Sequence, residues 1–319
     1  MFIKNFLLFL FIYFLTWLLL IFGEVHNPTL MSQWIYDVYK KKETIAKSIK
    51  GRKVVIMAGS NALFGIDSHK LSQYFKLPVL NDGVNAGIEL PLILYMAKRV
   101  INPNDIILAP LEYPMYSYNG KAGIQMIDYL LSREPSFFWQ LSIKEQFYII
   151  WHIPINRLID GYFYKGGKRI QSGIYGVHHI NQYGDQIKTE KKYKKKYMFE
   201  KIKKYEDNPE KYGKEFNSNS LGWDYLEKFI KWSRDRNVTV IFMPSVLMKH
   251  KSYFNNPIEQ KFYKNIGKIV ENRGWRYIGK PFDYMYNPLY FFNTNFHLIK
   301  KGQILNTNKI INNLNHEKL

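Results

Sequence analysis

Five short apolar runs alternate with longer amphipathic segments, and this alternation constrains the fold more than any other feature of the chain. The runs lie at residues 54–57, 78–80, 105–111, 238–243 and 275–278. Apolar residues at helical spacing predict helices at residues 67–75, 89–101, 221–236, 258–272 and 298–314. Strands that alternate with helices form parallel sheets that are covered on both faces. The sequence therefore predicts an α/β fold: a three-layer α/β/α sandwich around a mostly parallel five-stranded sheet.

Residues 114–220 do not follow this alternation and are predicted to be an insertion at the carboxyl edge of the sheet. They contain an aromatic, helix-like part at 143–164, a glycine-rich loop at 164–176 and a lysine run at 188–214. The lysine run is typical of a solvated helix face, and contact with a membrane or an anionic glycan is the alternative.

Two adjacent histidines in this insertion, His178 and His179, are followed by Asp185. Zinc binding is one interpretation, with a surface loop or a substrate-contacting loop as the others. Neighbouring residues of a strand point to opposite faces and do not easily share one ion. No metal site is therefore predicted.

The amino terminus carries an apolar run at residues 6–22, in which only Thr16 is clearly polar. At about 1.5 Å per residue this run barely spans a hydrocarbon core. No small-x-small cleavage site follows it. We predict an uncleaved signal anchor at residues 1–24, a juxtamembrane stalk at 25–51 and one large domain at 52–319.

Two features of the sequence give opposite indications of the side of the membrane on which the large domain lies. Lysines at 40, 41, 42, 47 and 50 follow the apolar run, and by positive charge alone they favour a cytoplasmic domain. Long domains, however, translocate largely regardless of charge. We predict a single-pass protein of the cytoplasmic membrane whose large domain is extracytoplasmic, periplasmic or at the cell surface.

Composition limits the partners and cofactors. The chain has no cysteine, which excludes disulfides and thiolate metal sites. Its formal charge of +20 is typical of a lysine-rich, AT-biased genome, or else serves attraction to anionic lipid or glycan. Nucleic acid is not a predicted partner, because the chain opens with a membrane segment. Neither a P-loop nor a G-x-G-x-x-G motif is present, so no cofactor is predicted.

Two short motifs at opposite ends of the large domain carry the candidate chemistry. Ser60 follows the first predicted strand, and His297 lies in a loop before the last helix. A serine needs a base to become a useful nucleophile. In doubly wound sheets, residues that follow the strands meet at the carboxyl edge. The sequence therefore predicts a Ser-His hydrolase or acyl transferase.

Three blocks resemble the SGNH (GDSL-like) hydrolase superfamily. They are Gly59-Ser60-Asn61, the glycine-containing block at 81–87, and His297-Leu298 with Gly302. The likeness covers roughly residues 52–112 and 237–315. Within the superfamily, the chain is most similar to the membrane-anchored branch. This branch includes the D-alanyl transfer protein of teichoic-acid modification and the alginate-type O-acetyltransferases. The resemblance implies an SGNH, flavodoxin-like sheet.

The resemblance also implies roles for individual residues. Ser60 corresponds to the nucleophile and His297 to the general base. Gly83 or Gly87 corresponds to the glycine whose amide helps to form the oxyanion hole, and Asn85 is a candidate to complete that hole.

Two departures from the superfamily pattern matter for the chemistry. The aspartate expected three residues before the histidine is replaced by Thr294, and a Leu-Glu-Tyr-Pro segment at 111–114 replaces the Gly-x-Asn-Asp block. Three other residues are candidates to orient His297, namely Asn293, Glu112 and Asp82. An amide can orient an imidazole, although it cannot stabilise an imidazolium by charge.

The resemblance implies acyl or acetyl transfer, or ester hydrolysis, on a cell-envelope polysaccharide or similar polymer. It also implies three partners: the membrane, the cell-envelope glycan and a membrane-bound acyltransferase. The alternative is a catalytically degenerate accessory protein that binds glycan or scaffolds a membrane acyl-transfer complex. The missing aspartate favours this second interpretation.

Overall fold

The computed structural model describes residues 2–164 and 173–317. Most of the predicted glycine-rich loop, residues 165–172, therefore lies outside the described residues. Contacts divide the chain into two compact units, Met1–Tyr36 with Gly120–Gly173 and Asp37–Asn119 with Ile174–Leu319. We call them the anchor unit and the sheet unit.

The helices and strands follow in chain order. The α-helices are α1 (Phe2–Gly23), α2 (Leu30–Ser48), α3 (Ser60–Gly65), α4 (Ser68–Phe75), α5 (Glu89–Ala97), α6 (Ile124–Arg133), α7 (Ile143–His152), α8 (Ile155–Tyr164), α9 (Lys196–Asp207), α10 (Tyr212–Glu215), α11 (Leu221–Arg234), α12 (Lys251–Asn255), α13 (Pro257–Glu271) and α14 (Lys300–His316). The strands are β1 (Val54–Ile56), β2 (Val79–Asn81), β3 (Ile106–Ala109), β4 (Thr239–Phe242), β5 (Leu247–Met248), β6 (Arg276–Tyr277) and β7 (Met285–Tyr286). Short 3-10 helices cover Ala86–Ile88, Tyr113–Ser117, Pro135–Gln140, Val177–His179, Lys191–Tyr193, Pro281–Tyr284 and Pro288–Tyr290.

The sheet unit contains a five-stranded sheet in the order β2-β1-β3-β4-β6, and every neighbouring pair in it is parallel. In register, Val54 of β1 faces Val79 of β2 on one side and Ile106 of β3 on the other. The predicted α/β class and the parallel five-stranded sheet are thus confirmed. A separate two-stranded sheet pairs β5 with β7.

The central strands are continuous apolar runs because both of their faces are covered. Every residue of β1 and β3 is buried, whereas the first residue of β4, Thr239, is exposed. A buried ion pair fixes where β1 and β3 begin. The Lys53 ammonium donates to a carboxylate oxygen of Asp105 at 2.7 Å, and both side chains are fully buried.

Local signals explain where several helices begin and end. The side chain of Asp67 accepts from the backbone N–H of Lys70 and caps α4. The predicted helix-like segment at 143–164 is instead two helices, α7 and α8, separated at Pro154. The residue before the proline, Ile153, has ψ 117°, in the extended region that proline imposes on its predecessor.

One helix among the described residues, α1, is long and apolar enough to cross a membrane, either as an anchor or as a signal sequence. Its 22 residues span about 33 Å at ~1.5 Å per residue, close to a hydrocarbon core. Near its end, the Trp17 indole N–H donates to the Ile150 carbonyl of α7 at 3.0 Å. The end of α1 is therefore part of the folded anchor unit.

A buried charge network follows the end of α1 inside the anchor unit. The Arg157 guanidinium lies 3.0 Å from Asp128 and 3.6 Å from Glu24, and the arginine is 3% exposed. Gly161, one turn later in α8, leaves room for this network, since a Cβ there would lie 2.5 Å from the Glu24 carboxylate. Buried charges are costly unless paired, so this network ties residues just beyond α1 to α6 and α8.

The two units divide the chain differently from the predicted boundaries at residues 24, 51, 114 and 220. The predicted insertion is shared, because α6, α7 and α8 belong to the anchor unit and α9 and α10 to the sheet unit. Composition alone does not predict these two units, because each unit is formed by contacts between segments that are distant in sequence.

Candidate active site

The strand order places a crevice at the carboxyl edge between β1 and β3. The chain leaves β1 toward β2 on one side, while β3 begins the other half of the sheet. Ligands of doubly wound sheets bind at this switch point, outside the carboxyl ends of the strands. The segments that follow β1 and β3 contain Ser60 and Glu112, respectively.

The turn that carries Ser60 is held by a buried carboxylate. The two oxygens of Glu112 accept from the backbone N–H groups of Gly59 and Asn61, each at 3.0 Å. A glycine is required at 59, because a Cβ there would lie 2.6 Å from a Glu112 oxygen and 2.7 Å from Ala86. Ser60 itself is half-buried, and its hydroxyl has no hydrogen-bond partner among the described residues.

Asn61 joins the carboxyl ends of three strands. Its amide nitrogen donates to the Pro110 carbonyl after β3 at 2.5 Å and to the Ser245 hydroxyl after β4 at 2.7 Å. Its amide oxygen accepts from the Ala62 N–H at 2.6 Å. The side chain is 2% exposed, so this residue fixes the turn after β1 rather than facing a ligand. From the sequence, Asn61 is recognisable only as part of the Gly59-Ser60-Asn61 motif.

His297 is buried beside the same short helix. Its ring stacks on Phe64 with centroids 4.1 Å apart and planes 4° from parallel. Phe64 lies four residues after Ser60 in α3, and residues at this spacing share one helix face. His297 therefore packs against α3, the helix that Ser60 begins, and no hydrogen bond joins the two side chains among the described residues.

An amide orients the histidine where a carboxylate is more usual. Nδ1 of His297 lies 2.8 Å from Oδ1 of Asn293. The nitrogen of the same amide donates to the Tyr175 hydroxyl at 3.0 Å, which sets the amide oxygen toward the ring. Oδ1 can only accept, so the proton is on Nδ1 and Nε2 is left free to accept a proton. Tyr175 was not singled out from the sequence, because nothing in its neighbourhood distinguishes it from the many other tyrosines.

The histidine is held neutral. Burial, together with the smaller effect of the positive charge of Lys201, lowers the pKa of His297 from its ordinary 6.5 to about 3. Lys201 belongs to α9, whose buried Ile202 packs with Phe291 and Leu298 of the histidine loop. The central part of the predicted lysine run is thus a helix, α9, with one packed face, and the charge of its Lys201 reaches the candidate base.

The other two candidates for orienting His297 have different partners. Glu112 holds the serine turn, as described above. Asp82 is buried near Lys42, whose ammonium donates to the Gly83 carbonyl. Burial lowers the pKa of Lys42 and raises that of Asp82, and the attraction between the two opposes both shifts. Neither carboxylate hydrogen bonds to His297 among the described residues: Glu112 accepts from the turn after β1, and Asp82 lies beside Lys42.

The expected oxyanion-hole amides are also occupied. The N–H of Gly83 donates to the Asn81 side chain at 3.0 Å, and the N–H of Gly87 donates to the Asn85 side chain at 2.6 Å. Asn85 therefore caps a 3-10 helix. At the start of α3, the Ser60 N–H has no acceptor among the described residues, so it is a backbone donor that an oxyanion could use.

The glycine block at residues 81–87 is supported by Lys42, which is distant from it in sequence. Lys42 lies in α2, in the segment that the sequence marked as a stalk, yet it is fully buried. Gly83, which it contacts, packs so closely that a Cβ there would lie 2.6 Å from the Gly59 carbonyl. Lys42 therefore supports the glycine block that lies directly against the serine turn.

Glu112 gives the site a predicted pH dependence of stability. Burial raises the pKa of Glu112 from 4.5 to about 7, although its two backbone hydrogen bonds oppose the shift. The stability that it contributes is therefore complete below pH 4.5 and is lost as the pH rises through about 7. Between about pH 5 and 8, the melting temperature of the native protein should fall relative to that of Glu112→Gln, whose side chain does not titrate. A difference in melting temperature that does not change with pH would contradict this.

Comparison with protein-family models, with curated proteins and with solved structures found no match to this chain. The description of the site therefore depends on the geometry above. That geometry brings Ser60, His297 and Asn293 into one corner of the sheet unit.

Proposed function

We propose that the protein is a membrane-anchored, SGNH-like acyl or acetyl transferase or esterase that uses a Ser60-His297-Asn293 site. The observation that carries this proposal is the oriented histidine. Asn293 holds Nδ1 while the ring stacks on Phe64, one turn from Ser60 in the same helix. A nucleophile, a base and a third group that orients the base is the general arrangement of nucleophilic catalysis, and asparagine is the third member in papain-like cysteine proteases.

The chemistry would proceed in two steps. His297 Nε2 would take the proton of Ser60 as the hydroxyl oxygen attacks the acyl carbonyl carbon, and the acyl–oxygen bond to the leaving alcohol would break. The leaving alcohol would receive the proton back from the imidazolium, leaving an acyl-serine. A sugar hydroxyl or water would then attack this ester, with the same histidine as base. The Ser60 N–H would donate to the oxyanion in both steps.

The fold and the membrane anchor support a cell-envelope polysaccharide as the acceptor of the acyl group. The sheet order corresponds to the doubly wound order 2-1-3-4-5. Helix α14 contacts α3 and α4, and α5 contacts α11, and this pairing of helices supports the proposal of a three-layer arrangement. Since α1 is built into the anchor unit, we infer that it stays as an anchor and that the sheet unit is extracytoplasmic. A tethered enzyme of this kind suits a cell-envelope polysaccharide, with a membrane-bound acyltransferase as the donor of acyl groups.

The competing proposal is a non-catalytic accessory protein that binds glycan or scaffolds an acyl-transfer complex. Two observations favour it. The amides of Gly83 and Gly87 are already hydrogen-bonded, and burial leaves His297 a weak base. Neither observation removes the serine or its oriented histidine, so we place the enzyme first.

A fluorophosphonate probe distinguishes the two proposals. The probe phosphonylates a serine, with loss of fluoride, only where a base activates it, so the native protein should be labelled at Ser60. The matched control is His297→Gln, which retains a polar side chain but cannot act as the base, and it should not be labelled. Folded native protein that stays unlabelled would favour the accessory role.

A further inference from the structure

Helices α7 and α8 leave a broad apolar face in contact with solvent. On α7, Ile143, Phe147 and Trp151 are 70%, 67% and 70% exposed. On α8, Ile159 is 50% exposed and Phe163 is 80% exposed. Residues spaced by four share one helix face, so these side chains form continuous stripes. Apolar patches of this extent mark protein-interaction or membrane-interaction sites.

The opposite faces of the two helices are packed inside the anchor unit. Glu145 and Ile149 of α7 are buried, and so are Arg157 and Leu158 of α8. Polar side chains limit the apolar stripe, because Asp160 of α8 is exposed beside it. Each helix therefore has a packed side, an apolar outer side and a polar margin, which is the pattern of a helix that lies flat in a membrane interface.

The contact between α1 and α7 determines how deep the apolar face of α7 lies in a bilayer that α1 crosses. The Trp17 indole bonds to the Ile150 carbonyl, and Trp17 precedes the end of α1 at Gly23 by about 9 Å at ~1.5 Å per residue. An apolar pocket of about 530 Å³ lies at the same level, between Leu18 and Phe22 of α1 and Ile153 after α7. When α1 lies in a bilayer, α7 is beside its last turns and not beyond them.

Exposed tryptophans agree with that depth. Trp139, in the 3-10 helix after α6, is 73% exposed and lines the same pocket as Leu18, and Trp151 follows Ile150, whose carbonyl accepts from Trp17. Tryptophan is enriched where the hydrocarbon core meets the headgroups. Lys144, which is exposed at the margin of the α7 stripe, has a stem long enough to carry its charge toward the headgroups.

We propose that α7 and α8 are a monotopic membrane element that embeds its apolar face in the lipid bilayer alongside α1. The occupant of this face is lipid, because the face continues from α1, whose own side chains are exposed and apolar over most of its length. The pocket between α1 and α7 then receives acyl chain. This inference rests on α1 lying in the membrane and is independent of the Ser60 chemistry.

Absence of cysteine makes the test direct. Single cysteines introduced at Phe147, Phe163 and Asp160 of the full-length chain carry an environment-sensitive fluorophore, and the protein is reconstituted in phosphatidylcholine vesicles. Nitroxide-labelled lipid and aqueous iodide are then compared as quenchers. We expect the labels of Phe147→Cys and Phe163→Cys to be quenched several-fold more by lipid than the label of Asp160→Cys, with iodide giving the reverse order. Ile143→Cys replaces Phe147→Cys if that variant does not fold.

A reference label at Phe11→Cys shows separately whether α1 is in the bilayer. If that label is quenched by lipid while those at 147 and 163 respond only to iodide, the proposal is overturned. If the labels on α7 and α8 become lipid-accessible only when protein is diluted in lipid, a second copy covers the face and the proposal is again wrong. Lipid quenching that is independent of dilution supports it. None of these outcomes depends on enzymatic activity.

Discussion

Replacing Ser60 by alanine should reduce hydrolysis of an activated acetyl ester to the uncatalysed rate while leaving the melting temperature nearly unchanged. Loss of a serine nucleophile typically lowers turnover on the order of 10⁴-fold or more. Ser60 is half-buried and its hydroxyl has no partner among the described residues, so the stability change should stay within about 0.5 kcal/mol. Initial rates and thermal melts of detergent-solubilised protein measure the two effects.

Ser68→Ala is the matched control, since Ser68 also begins a helix in the sheet unit. Its hydroxyl is buried and donates to Asp185 at 2.5 Å. Removing it leaves a buried carboxylate with one hydrogen bond fewer, which should cost about 1–3 kcal/mol of stability. Activity of the folded fraction should persist. If Ser60→Ala keeps full activity, or if Ser68→Ala loses activity in step with Ser60→Ala, Ser60 is not the nucleophile.

Replacing Asn293 by aspartate should raise turnover of the same ester by about 10-fold or more. A carboxylate stabilises the imidazolium formed on proton transfer, and loss of that charge in a serine triad costs on the order of 10⁴-fold. The local geometry accommodates the change. One oxygen would accept from His297 Nδ1, and the Tyr175 hydroxyl, now 3.0 Å from the amide nitrogen, could donate to the other. The pKa of His297 should rise as well, which NMR titration measures.

Thr294→Asp is the control for this gain, because it places the carboxylate at the superfamily's usual position. The Thr294 hydroxyl accepts from the Phe296 N–H at 3.2 Å and does not contact His297. Turnover should therefore change little in this variant. A gain from Thr294→Asp without one from Asn293→Asp would show that the loop differs in the working enzyme. No gain from either would favour the accessory role.

Much of the fold followed from the pattern of apolar residues. The segments that form β1 and β3 are continuous apolar runs, as strands covered on both faces must be, and Asp67 caps its helix through a purely local interaction. Local breaks were harder to locate. Pro154 divides the predicted 143–164 helix, although aromatic residues continue on both sides and obscure the break.

The candidate site was only partly accessible from the sequence. Ser60 is recognisable because it follows the first predicted strand, and His297 because it lies just before the predicted last helix. The sequence offered Asn293, Glu112 and Asp82 equally as partners of the histidine, since spacing does not say which side chain points toward the ring. The 2.8 Å contact of Asn293 with His297, and the contacts of Glu112 with the serine turn, distinguish them.

The sequence by itself determined the α/β class, the parallel sheet, the apolar helix α1 and the two residues at the centre of the candidate site. These depend on periodicity and on local hydrogen bonding, which neighbouring residues encode. Tertiary structure alone decided the rest. It committed the Gly83 and Gly87 amides to side chains, brought Lys42 from the presumed stalk under the glycine block, and joined α1 to α7. Such contacts join residues far apart in the chain, and their partners are chosen by packing and by the need to pair buried polar groups.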